Sequence, residues 1–406
     1  MFERQVSIRI RREHQGGLQV ATTIILCISI TFFVFVLATF INDRAKRLSI
    51  DSDDFYIPQS YVTSTYASNP DILCNSSSSS DVHHSVTEQR ISPKDLWHSM
   101  SDEELIWRAS MVPVVIDPPF NWTPKVAFMF LIRGSLPLAP LWERFFKGHN
   151  GLFSIYLHTS PEFTDETPES SVFYKRRIPS KPVAWGKHTM IDAERRLLAN
   201  ALLDFTNERF VLLSETCIPL FNFTFIYNYL INSNHSFLSS FDDPRKMGRG
   251  KYNKRMSPAI TLSDWRKGSQ WFEAHRKLAI QLISDTTYYP IFRTHCQRPC
   301  FMDEHYFPTL VNKICPELTS NATVTWTDWS RGGSHPALFV KNQISKEFLE
   351  KIRHGYKCSY NGEETSICFL FARKFHANTL QPLLSIAPGS SFARVEHLAQ
   401  RLMGNI

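Results

Sequence analysis

The chain has 406 residues, 43% of them hydrophobic and 20% charged, so it can bury a core, and long-range disorder is excluded. Only 15 glycines and the lack of any fixed repeat exclude collagen-like, glycine-rich, solenoid and propeller classes. The formal net charge of +7 leans toward an anionic ligand or surface, while the aromatic share of 13% is read mainly as a phenylalanine-rich core.

Residues 1–19 form a short tail carrying Arg4, Arg9, Arg11 and Arg12. Val20 to Ile41 then runs without a charge. About 20 apolar residues suffice to cross a bilayer core. The run ends in Thr39-Phe40-Ile41-Asn42-Asp43-Arg44, with no small-residue cleavage site, and is read as an uncleaved signal-anchor over 20–41. Lys and Arg counts on its two sides favour an inside N-terminus only slightly. The N-x-[ST] sequons that follow, at Asn75, Asn121, Asn222, Asn234 and Asn321, give better support to a lumenal, glycosylated remainder. Seven of the 8 cysteines also follow the run, and an oxidising lumen lets them pair. Cys358 and Cys368 flank a polar loop containing Asn361-Gly362 and are expected to form a hairpin disulfide. Cys296, Cys300 and Cys315 have no zinc-site spacing, and no metal site is expected.

Residues 42–123, with the serine run Ser76 to Ser80 and scattered Asp, Thr and Pro, read as a stem; a short helix is expected within it, from Pro93 to Trp107. From residue 124 the pattern is globular. Val126 to Ile132 is a continuous apolar run suited to a buried parallel strand. Leu136 to Phe146 reads as helix, Leu152 to His158 as strand, Thr189 to Phe205 as helix and Arg209 to Leu213 as strand. Further on, Phe237 to Phe241 is expected as a strand, Gln270 to Ile283 and Glu304 to Val311 as helices, and Ile367 to Phe371 as a late strand. Alternating strands and helices predict an α/β domain with a mostly parallel sheet, whose ligands bind at the C-terminal strand ends.

Several reaction machineries are missing from the sequence. There is no G-x-x-x-x-G-K-[ST], no G-x-G-x-x-G after a strand, no H-E-x-x-H and no G-x-S-x-G. Gly248-Arg249-Gly250-Lys251 follows no strand-to-helix turn and reads as a solvated basic loop. Asp303-Glu304-His305 is different, because it gathers three ionisable groups at an expected helix start, among Phe301, Met302, Tyr306 and Phe307. Acidic residues there often only complement the helix dipole. A carboxylate in such aromatic surroundings can also serve as a general base.

Several stretches, in this order, resemble the plant branch of the core-2/I-branching β-1,6-N-acetylglucosaminyltransferase family. They are WGKHTMIDAERRLLANAL (Trp185 to Leu202), RFVLLSETCIPL (Arg209 to Leu220), FLSSFDDP, KGSQWF (Lys267 to Phe272), MDEHYFPTL, TWTDWSRGGSHP (Thr325 to Pro336) and FLFARKF (Phe369 to Phe375). The resemblance runs from Lys125 to Phe375 and leaves the stem uncovered. It implies a Golgi type II membrane enzyme with a GT-A-like domain over 124–406. Such an enzyme would transfer a sugar with inversion, N-acetylglucosamine being one candidate, from a nucleotide sugar to a glycan hydroxyl. No metal cofactor and no nucleic-acid partner are implied. Glu304 matches the family's catalytic base, which removes the acceptor proton. Lys374 matches the Lys of an F-A-x-K-F segment that neutralises the departing diphosphate, with Arg331 as a second cation. His158 stands where the family has a strand-end Asp near the donor base, and Arg133 where it has a His-containing segment; both are donor-side candidates. Trp329, Arg249 and Lys251 are the acceptor-side candidates. A non-catalytic lumenal glycan-binding or scaffold protein of the same fold is the second reading. A glycoside hydrolase would need two opposed carboxylates, and beside Glu304 only Glu215 offers itself.

Overall fold

A computed structural model describes residues 95–111 and 122–386. The expected signal-anchor, most of the stem, Asn75, Asn121 and Cys74 lie outside the described residues. Among the described residues no helix is long and apolar enough to cross a membrane.

The chain order begins with helix α1 (Asp102–Ser110), β1 (Lys125–Leu131), α2 (Ala139–Phe146) and β2 (Phe153–His158). It continues through α3 (Thr189–Leu202), β3 (Asn207–Ser214), β4 (Ile218–Pro219) and α4 (Phe223–Ile231). After a long irregular stretch come β5 (Glu273–His275), α5 (Arg276–Ser284), α6 (Tyr289–His295) and α7 (Tyr306–Ile314). The C-terminal part holds β6 (Thr325–Thr327), α8 (Lys346–His354), the hairpin β7 (Cys358–Tyr360) and β8 (Glu363–Thr365), β9 (Phe371–Arg373) and α9 (Leu380–Ile386).

The main sheet has the order β2-β1-β3-β5. Its first three strands are parallel, with Phe128 opposite Ile155 on one side and Val211 on the other, and β5 joins β3 antiparallel. Side chains alternate along β1, so its apolar run feeds two cores. Ala127 and Met129 pack with Leu197, Leu198 and Leu212 on the α3 face. Val126, Phe128 and Phe130 pack with Trp142, Phe146 and Phe223 on the other. There the ring of Phe128 meets Phe146 edge-on at 4.9 Å and Phe145 at 5.8 Å, contacts worth about 0.5–1.5 kcal/mol each beyond area burial. A second, small sheet has the order β4-β9-β6.

Long-range pairing moves several elements away from the sequence expectation. Phe237 to Phe241 makes only isolated bridges, Phe237 with Glu273 and Phe241 with Lys267, because its neighbours belong to two separate segments. The helix expected from Gln270 begins at Arg276, since Phe272 to His275 is extended against β3 and its Phe272 carbonyl accepts from Leu212 N at 3.0 Å. The late strand lies at Phe371–Arg373; Ile367 and Phe369 instead pack under the hairpin, on Tyr229 and Tyr356. Helix α7 starts at Tyr306, after a 3₁₀ turn over Met302–Glu304.

Helix α1 falls in the stretch expected to be stem, yet belongs to the globular body. Ser101 caps it by accepting from Glu104 N at 3.2 Å, and Leu105 and Ala109 are buried in the α3-side core. Asp102 grips Arg196 of α3 with two hydrogen bonds, at 2.8 and 2.7 Å, and Lys181 at 2.6 Å. Cys358 is bonded to Cys368 and Cys296 to Cys300; the sequence had suggested nothing for the second pair beyond its unfitness for zinc. Cys217 and Cys315 are buried free thiols.

Candidate active site

A cleft of ≈ 1780 Å³ opens at the C-terminal ends of β1, β2 and β3. Parallel strands end here because each crossover returns the chain to the N-terminal end of the sheet, leaving the strand-end loops to line a crevice. Arg133, His158 and Glu215 line the strand-end side, and Lys374 and Arg373 line it from β9 and just beyond. Lys267, Trp271, Asp303 and Glu304 line another wall, and Trp329 with His335 a third.

Glu304 lies at the end of the 3₁₀ turn, and its carboxylate is ion-paired with the ammonium of Lys267. Their backbones are tied as well, Gly268 N donating to the Glu304 carbonyl at 2.9 Å. A Cβ at Gly268 would stand 2.0 Å from the Ser239 carbonyl oxygen, so only glycine lets this segment pass so close to the backbone at Ser239. The turn is launched by Phe301, whose φ of 62° lies in the left-handed region that bulky residues rarely enter. That conformation sets the Phe301 ring 5.1 Å from Trp185 at the cleft rim.

Behind Glu304 lie two more carboxyls. Burial, reinforced by the charge of Glu304, pushes Asp303 up to about 7. Burial, reinforced by Asp303, raises Glu194 of α3 well above the carboxylate range. Gln270 donates to Glu194 Oε1 at 2.9 Å, while Glu194 Oε2 and Asp303 Oδ1 have no hydrogen-bond partner. His305 is turned away from the cleft: its Nδ1 donates to the Arg266 carbonyl at 2.9 Å and its ring stacks on Trp265 at 4.6 Å. Burial holds it down to about 3, so it is a neutral core histidine.

His158 reaches the cleft but is engaged from behind. Arg196 Nη1 donates to its Nε2 at 2.9 Å, and burial, with the Arg196 charge, lowers it to about 3. Asp102, Arg196 and His158 thus form one polar chain from α1 to the strand end. Burial would raise Asp102, but the hydrogen bonds from Arg196 and Lys181 hold it down to about 2. Lys374 is half-buried, and its pKa is lowered first by burial and then by the charge of Arg373.

Three candidates from the sequence do not line the cleft. Arg331 is exposed on the loop beside Gly332 and Gly333, whose φ of 65° and 91° lie in the left-handed region, and is not among the residues lining the cleft. Arg249 pairs with Asp242 at the surface. Lys251 stands behind the rim, its Nζ 5.2 Å over the Phe301 ring. Trp329, from the same loop as Arg331, does line it and is 49% exposed. Asn222 caps α4 by accepting from Phe225 N at 2.8 Å, Asn321 accepts from Ser240 N, and Asn234 is exposed. Among the described residues no three His, Cys, Asp or Glu side chains converge to hold a metal ion.

Lys267 and Arg373 escaped the sequence reading. Each sits inside a stretch already singled out, KGSQWF and FLFARKF, and the only signal was its position beside residues given other roles.

The sequence profile of the Core-2/I-Branching enzyme family matches residues 126–353. A rice protein (Oryza sativa subsp. japonica), Glycosyltransferase BC10, is 38% identical over 305 residues, which cover 64% of this chain and 75% of the relative.

Proposed function

Since the chain belongs to the core-2/I-branching enzyme family and is a glycosyltransferase, we propose that Glu304 is the general base of a metal-independent, inverting transfer from a nucleotide sugar to a glycan hydroxyl. The observation that carries this reading is the sharing of one cleft by Glu304 and the strand-end cations Arg133 and Lys374. A base and a set of cations in one cleft are what displacement at an anomeric carbon asks for. Glu304 takes the proton of the acceptor hydroxyl as its oxygen bonds to the anomeric carbon. The bond from that carbon to the diphosphate oxygen breaks, and the electron pair leaves with the diphosphate. Lys374 and Arg133 lie where that negative charge would develop. Lys267 holds the Glu304 carboxylate in place, and Trp329 offers an exposed ring face to a sugar of the acceptor.

The parallel strands with their strand-end cleft support a GT-A-like domain. In the same reading residues 20–41 anchor the chain in the Golgi membrane as a single-pass type II protein, with the catalytic domain lumenal. The purified full-length protein is to be screened against a panel of nucleotide sugars for slow hydrolysis and for transfer to glycan acceptors, with EDTA present and absent. Hydrolysis of one donor that survives EDTA is the expected result. A protein that binds glycans but neither binds nor hydrolyses any nucleotide sugar would belong to the scaffold reading.

A further inference from the structure

We propose that Arg373 is an anion-binding residue of the cleft, taking the diphosphate of the donor together with Lys374. The proposal rests on the transferase reading above. It assigns a side chain to which the family resemblance gives no role, since Arg373 stands at the open position of F-A-x-K-F.

Arg373 is the last residue of β9, in the middle of the small sheet. Its side chain lines the cleft, with Cζ 3.9 Å from the ring centroid of Trp271. That stacking fixes the plane of the guanidinium and offsets part of its desolvation. It satisfies none of the five N–H donors of the fork. Nε is buried and has no hydrogen-bond partner.

Other buried arginines of this fold are treated differently. Arg209 donates to the carbonyls of Leu230, Ser233 and His235 and pairs with Glu273 at 3.3 Å. Arg276 donates to the carbonyls of Leu202, Asp204 and Asn207. Arg195 donates to those of Ile283 and Asp285 and to the Tyr306 hydroxyl. Structural guanidiniums are therefore saturated by the fold, whereas Arg373 is left open where it faces the cleft. An arginine stays ionised even when burial lowers its pKa, as it does here. A buried cation without a paired anion is costly, so the anion that completes it comes with the ligand.

The surroundings fix the class of that anion. Arg133, Arg373 and Lys374 all line the cleft, where Arg373 and Arg133 both repel Lys374, with Glu215 as the opposing charge. Three cations against one carboxylate leave room for more than one negative charge. Two adjacent phosphates supply it, with oxygens for both the planar fork and the ammonium. When the anomeric carbon–oxygen bond breaks, the electron pair goes to the leaving diphosphate, which the Arg373 N–H groups then stabilise.

The test is calorimetric titration of the full-length protein with inorganic pyrophosphate at fixed ionic strength. Arg373→Met should bind pyrophosphate about 10- to 100-fold more weakly than wild type, the cost of a lost charged hydrogen-bonding group. Arg373→Lys, which keeps the charge but loses the fork, should fall between the two. Arg108→Ala, an exposed arginine on α1 that does not line the cleft, should stay within about twofold of wild type, because its charge is screened by solvent. The ligand-free melting temperature of Arg373→Met should not drop, since an unpaired charge has been removed. Pyrophosphate affinity unchanged in Arg373→Met, with or without a lower melting temperature, makes the residue structural and overturns the assignment. If wild type turns over a nucleotide sugar in that case, only this assignment falls; if wild type binds no pyrophosphate, the proposed metal-independent mechanism, in which cleft cations hold the diphosphate, falls with it.

Discussion

Replacing Glu304 by Gln keeps the side-chain shape but removes the ability to take a proton. A positioned general base contributes about 10²–10⁴ to a rate, so turnover of a bound donor and acceptor should fall by that factor. Donor affinity should change by less than about tenfold, because the carboxylate is assigned to the acceptor side of the reaction. The structure also sets the cost in stability. Glu304 is ion-paired with Lys267, and both side chains retain some exposure, at 28% and 16%. Solvent screens such a pair, so its loss should cost on the order of 1 kcal/mol. The Gln carboxamide oxygen can still accept from the ammonium, which lowers the cost further. Gly268 N donates to the Glu304 backbone carbonyl, which the substitution leaves in place. The variant should therefore stay folded, with a melting temperature within a few degrees of wild type, and be almost inactive. Turnover is read from release of nucleotide at saturating donor and acceptor, and stability from thermal unfolding of the same preparation. A folded Glu304→Gln protein with unimpaired transfer would refute the assignment. His305 offers no replacement, because its ring is turned from the cleft and its Nδ1 donates to the Arg266 carbonyl.

Lys267→Met should lower turnover about tenfold with little change in donor KM, since it frees the Glu304 carboxylate to rotate; Lys267→Arg should recover part of the loss, and equal kinetics in all three proteins would remove Lys267 from the mechanism. For pH, Asp303 is raised in the folded state from 3.8 to about 7, so the folded protein holds this proton more tightly than the unfolded chain and stability is lost as pH rises through that window. Asp303→Asn should flatten the fall, so that its melting temperature gains on wild type between pH 4 and pH 7; a constant difference across that range would show that Asp303 does not titrate there. Among the sequons Asn222, Asn234 and Asn321, Asn234→Gln is expected to remove a glycosidase-sensitive step in gel mobility, because its side chain is exposed while Asn222 and Asn321 are engaged in hydrogen bonds. Protease added to sealed microsomes should remove only the short N-terminal tail, and digestion of the bulk of the chain would reverse the proposed topology.

Legibility in the sequence follows the range of the interactions that fix each element. The runs that became β1, β2 and β3 were readable because strands buried on both faces are nearly continuous apolar runs, and α3 because its apolar residues Ala193, Leu197, Leu198, Ala201 and Leu202 recur at helical spacing, although Ala193 to Leu202 is buried throughout. Phe272 to His275 was misread as the start of a helix, since its buried run carries no mark of the pairing that extends it along β3. The same distinction divides the candidate site. Glu304, Lys374 and Trp329 could be found because each lies in a stretch whose order along the chain resembles a family. Lys267 could not, because its meaning lies in a carboxylate 37 residues away.

The polar chain from Asp102 through Arg196 to His158 is a sharper instance. Composition put Asp102 in the stem stretch, the pattern put Arg196 within an expected helix, and the family resemblance implied a donor-side place for His158. The fold makes them one unit, in which the acid on α1 orients the guanidinium and the guanidinium occupies the histidine nitrogen. His158 is consequently held neutral and buried, with its Nε2 already accepting from Arg196, so it has little left to offer a ligand in the cleft. A strand-end Asp would present a carboxylate acceptor there. In the proposed reading, the departure from the family pattern at this position thus withdraws a polar contact from the donor base, and α1 is part of what maintains it.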